Sequence, residues 1–186
     1  VNTESPPLIV GLSPVRTVLL LFAGIAAAAL ILLDGGATAP LSRILASAAL
    51  IYAGSAALRT PRAAWPVFVL TCLVIAVTRF AGGNAVATWI LLVLAVGVLT
   101  WAVLRHRSTG LALQWAAVAV FGLLAVGGLF GQGWAAGLVA TGLLLHSVWD
   151  LAHLLRRRVV PGSMAAFCLA LDATLGVAIL VALGLD

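Results

Sequence analysis

The sequence predicts an all-α integral membrane protein: a bundle of seven transmembrane helices, N-terminus cytoplasmic and C-terminus outside. Three observations carry this. Of 186 residues, 64% are apolar and only 8% charged, against roughly 45–50% and ~25% in soluble domains. With a mean hydropathy of +1.25, there is too little polar surface to coat a water-soluble globule. The apolar residues also fall into seven runs, each close to the ~20 residues that cross a hydrocarbon core. Finally, the arginines sort unequally between the two ends of those runs.

The runs are 15–33, 41–58, 63–81, 85–104, 111–130, 134–155 and 161–185. A polar, Pro-containing tail, 1–14, precedes them, with no small-residue cleavage site after the first run. Asp34-Gly35-Gly36 closes the first span and Pro61 separates the second from the third. Gly82-Gly83-Asn84 and Ser108-Thr109-Gly110 bound the fourth. Gly131-Gln132-Gly133 divides the fifth from the sixth, and Pro161-Gly162 starts the seventh. Gly and Pro end helices because one frees the backbone and the other removes a donor. Seven spans leave only short loops, so 15–186 reads as one transmembrane domain.

With seven spans, Arg16, Arg59, Arg62, Arg105, Arg107, Arg156, Arg157 and Arg158 share one side, and Arg43 and Arg79 the other. The positive-inside rule makes the Arg-rich side cytoplasmic. Trp65, Trp101, Trp115 and Trp149 then lie near inner helix ends, Trp89 and Trp134 near outer ends, as interfacial belts require. Arg79 is expected to snorkel to the headgroups. The Ala, Gly, Val and Arg bias, with no Lys, points to a GC-rich bacterium and so to its inner (plasma) membrane.

Composition excludes some functions. All ten basic residues are Arg; without Lys no retinal Schiff base can form, so an opsin-type pigment is ruled out. Arginines scattered over loops carry topology rather than nucleic-acid binding. Cys72 and Cys168 lie within apolar runs, make no CxxC pair, and read as small core residues. Gly127-x-x-x-Gly131 and Gly133-x-x-x-Gly137 suggest close helix packing around the fifth turn. There is no Walker A loop, HExxH, GxSxG elbow or dinucleotide fingerprint.

Spans two and three loosely match spans six and seven: each pair has an inner turn with Arg and Pro, then a mid-span Cys (Cys72, Cys168). Three spans, a linker span and three more would form a parallel 3+1+3 repeat. That layout resembles SWEET transporters in outline. Compositional bias is the alternative origin of the match.

Ionisable residues inside spans are costly, and this chain has few. Asp34 and Asp186 lie at outer ends and Glu4 in the tail, which leaves Asp150 and Asp172, joined by His146 and His153. At 3.6 residues per turn, His146, Asp150 and His153 fall on one narrow face of span six. Asp172 lies in span seven at the depth of His146, with small Ala165, Cys168 and Gly176 on its face. Spans six and seven are antiparallel neighbours, so a His146–Asp172 contact is expected. His153 should be nearly interfacial. If the repeat holds, Tyr52, Ser55 and Arg59 line the opposing wall.

Three functions compete. A proton-titratable His/Asp cluster at mid-depth suits a small-solute or ion carrier, with His146, Asp150, Asp172, His153 and Tyr52 as relay or binding residues. The same His146, Asp150, His153 and Asp172 could instead hold zinc in an intramembrane hydrolase acting on a lipid. Alkaline ceramidases and adiponectin receptors are similar in span count and in using His and Asp, but their paired His on the last span has no counterpart here. Thirdly, a His–Asp pair can be structural glue in a homo-oligomer or in an accessory subunit of a larger membrane complex. Apart from the bilayer itself, the residues specify no partner, and they name no metal.

Overall fold

The computed structural model describes residues 12–35, 41–81, 83–106, 111–130, 133–156 and 159–185. It contains seven α-helices: α1 (Pro14–Gly35), α2 (Ser42–Ala57), α3 (Ala64–Ala81), α4 (Gly83–His106), α5 (Leu111–Phe130), α6 (Ala135–Arg156) and α7 (Gly162–Leu185). A 3-10 turn, Pro61–Ala63, leads into α3. No strand occurs among the described residues. Most of the tail 1–14, together with Arg107, Arg157, Arg158, Gly131 and Asp186, lies outside the described residues.

Six helices, all except α2, are long and apolar enough to cross a membrane. Their outward faces are apolar too: Leu33 is 84% exposed and Phe80 90%. A surface of this kind belongs in lipid, where exposed hydrocarbon costs nothing. The molecule is a helical membrane-type bundle.

The helix α2 differs from the rest. It has 16 residues, about 24 Å at 1.5 Å per residue, and it contacts α3, α4, α5 and α6. Thirteen of those 16 residues are buried, so the other helices are built around it. Small side chains (Ala46, Ala49, Ala53, Gly54) allow that close approach.

Local chemistry explains the helix ends. Pro61 opens the short 3-10 turn, where its missing N–H costs nothing. Gly83 begins α4 with φ +79°, a left-handed conformation that glycine adopts without strain. Arg59 (φ 54°) and Val159 (φ 68°) also adopt it. Each stands two residues before a proline, Pro61 and Pro161. The packing of the two triplets is not the same: α5 packs on α6, whereas α1 makes its main contact with α7.

That α1–α7 contact depends on Gly24, where a Cβ would collide with the Phe167 carbonyl. Of the two glycine motifs, Gly127 lies against Leu138 of α6, but Gly133 and Gly137 face open space and pack against nothing. The close approach at this turn is made instead by Gly128, against Val139 and Ser42.

Candidate functional site

The cluster begins with helical register. His146 and Asp150 are one turn apart on α6, and α7 runs beside α6 because few residues join them. Gly176 of α7 removes a side chain that would otherwise meet Leu144 and the Ala140 carbonyl. The two helices therefore approach closely, and Asp172 reaches α6.

His146 Nδ1 lies 2.7 Å from Asp172 Oδ2, the contact expected from the sequence. The same nitrogen lies 3.1 Å from Asp150 Oδ2. That second contact lacks hydrogen-bond geometry, so Asp150 Oδ2 stays unpartnered. Tyr52 of α2 closes the third side, its hydroxyl donating to Asp150 Oδ1 at 2.5 Å. His146 and Asp150 are 0% exposed, Asp172 1% and Tyr52 2%. One imidazole nitrogen thus addresses two carboxyl groups in the buried interior.

Aromatic rings wall the cluster. Phe121 of α5 stands 5.0 Å from the His146 ring, and Tyr52 meets it edge-on at 5.4 Å. His153, expected to be nearly interfacial, is buried against its neighbours in the bundle, its ring 4.9 Å from Tyr52 edge-on and 4.8 Å from Trp149. Its Nδ1–H donates to the Trp149 carbonyl at 2.9 Å, which fixes the tautomer. Trp149, half-buried, packs on Phe121 and Tyr52.

Other sequence expectations fare differently. Ser55 is buried beside Tyr52 on α2 but does not join the cluster, and its hydroxyl has no hydrogen-bond partner among the described residues. Arg59 is exposed at the turn. Arg79 does not simply snorkel; it forms a bidentate pair with Asp34 at 2.5 and 3.1 Å. Cys168 is buried, its thiol on Met164 Sδ, but Cys72 is exposed on the outer face rather than in the core.

His146, Asp150 and Asp172 each offer a ligand atom, all within 4.8 Å of one another. That donor set, one nitrogen and two oxygens, matches a three-ligand zinc site with a fourth position for water. His153 lies outside the triad. The nitrogen that would ligate is the one bonded to Asp172, so a metal and a proton would compete for it.

Two cavities lie along α2. On the Ser55 side, a recess of about 270 Å³, mostly apolar, is lined by Ser55, Arg59, Gln114 and Val159. On the other side, towards Ser47, an apolar cavity of about 310 Å³ lies between α1, α2, α3 and α7. No family model, curated protein or solved structure matches the chain.

Proposed function

We propose that the chain is a seven-span carrier of the inner membrane, moving a small solute or ion through proton exchange at the His146–Asp150–Asp172 cluster. One observation supports this above the others: three titratable side chains, wholly buried, meet at a single imidazole nitrogen, and one of them, Asp172, lines the apolar cavity. From its fully deprotonated form, charge −2, the triad is neutral once it holds two protons; losing one of them leaves an uncompensated negative charge in low dielectric, which a co-bound cation or a rearrangement must offset. This couples proton release to movement. Tyr52 keeps Asp150 oriented by its hydrogen bond, and Phe121 and Trp149 exclude water. In this reading α2 is the seventh span, shielded from lipid by its neighbours, and the Arg-rich ends face the cytoplasm.

Purified protein in liposomes carrying an internal pH dye tests it. A pH gradient should drive flux in the native protein, and Asp172→Asn should reduce that flux to the level of protein-free liposomes. Native flux no greater than that of protein-free liposomes, or an unaltered rate in the variant, would end the carrier reading.

The three-donor geometry favours one second reading, a zinc-dependent hydrolase acting on a lipid. Metal analysis separates the two: that reading expects one zinc per chain, lost in His146→Ala, whereas the carrier expects none.

A further inference from the structure

The apolar cavity between α1, α2, α3 and α7 is walled by Leu30, Ile44, Ala48, Cys72 and Phe167, with Asp172 the only acid among the described residues that line it. Its mouth is marked by Leu30, 68% exposed, and Cys72, also exposed. Both belong to helices apolar enough to cross a membrane, so the mouth opens sideways into hydrocarbon rather than into water.

The polar groups of the wall are mostly satisfied. Ser47 donates to the Arg43 carbonyl and Thr71 to the Phe68 carbonyl, each within its own helix. Asp172 Oδ2 is bonded to His146, but Asp172 Oδ1 is buried with no partner among the described residues. A buried acceptor left bare is costly and calls for a donor.

We infer that this cavity binds a membrane-dissolved lipophile whose head carries a hydrogen-bond donor, a hydroxyl or an amine, placed against Asp172 Oδ1. Apolar walls with one placed polar group are the usual form of a small-molecule site. The lateral mouth selects molecules already in the bilayer. A carboxylate or phosphate head is rejected, because it would bring a second acceptor against the first. The inference names the substrate class of the proposed carrier and rests on that reading for its purpose; occupancy of the cavity is measured separately from flux.

Cys72 at the mouth reports on occupancy. Native protein in lipid nanodiscs is alkylated with N-ethylmaleimide, and the Cys72 peptide is followed by mass spectrometry with decane, 1-decanol, decylamine or decyl methyl ether in the bilayer. Decanol and decylamine should slow Cys72 alkylation several-fold; decane and the ether, which lack a donor, should not. Ala48→Phe, which fills the cavity away from the cluster, should abolish the protection. Equal rates with decanol and its ether, or protection that survives Ala48→Phe, would overturn the assignment. Protection without proton flux would overturn the carrier reading and leave the binding site standing.

Discussion

Two acid–base pairs in this bundle make the same bond in opposite surroundings. Asp34 and Arg79 join α1 to α3 by a two-pronged contact with 51% and 58% of their side chains exposed. His146 and Asp172 join α6 to α7 by one contact, each side chain 1% exposed. By geometry alone the rim pair is the better formed. Its charges remain solvated and screened, however, so it contributes little. Inside, each group depends on its partner because burial shuts it off from bulk solvent. The number of hydrogen bonds is therefore a poor guide to what a pair contributes; the surroundings decide.

The largest expected effect is at the buried end. His146→Ala leaves Asp150 and Asp172 facing each other without the imidazole, and should lower stability by about 3–5 kcal/mol, as for other broken buried pairs. Denaturation in mixed detergent measures this. A loss nearer the ~0.6 kcal/mol typical of interhelical hydrogen bonds in membranes would mean that the acids satisfy each other and that the imidazole is replaceable. Tyr52→Phe removes one hydrogen bond to Asp150 and keeps the ring, so a smaller cost of about 0.6 kcal/mol is expected on the same assay. Asp34→Asn should be the mildest. Its melting temperature should match the native value within error at high salt, and a salt-independent drop would show that the rim pair is more sheltered than its exposure implies.

Much of this architecture was legible beforehand. The fifth run, 111–130, coincides with α5, and the sixth and seventh differ from α6 and α7 by one residue at each altered end, because Gly and Pro set those boundaries. The His146–Asp172 contact followed from two facts, a short inner turn and matched depth. What escaped depends on contacts between elements distant in sequence. Asp34 and Arg79 are 45 residues apart, and nothing local brings α1 beside α3 or α7. Periodicity placed His146, Asp150 and His153 on one face, but it could not show that Tyr52 of α2 packs against that face, its ring beside both His146 and His153. Tyr52 was approached by way of a repeat, yet its bond to Asp150 arises from the central position of α2. The cavity beside Asp172 has four helices for walls and no motif of its own.

The central place of α2 bears on how the protein is made. All four helices that enclose it, α3, α4, α5 and α6, are synthesised after it. Until α6 arrives, Tyr52 has no Asp150 to bond, and a short, Ala- and Ser-rich segment must be held by the insertion machinery or by transient neighbours. A nascent chain stopped after α3 should accordingly be a substrate for membrane quality control, whereas one that has released α6 should escape it.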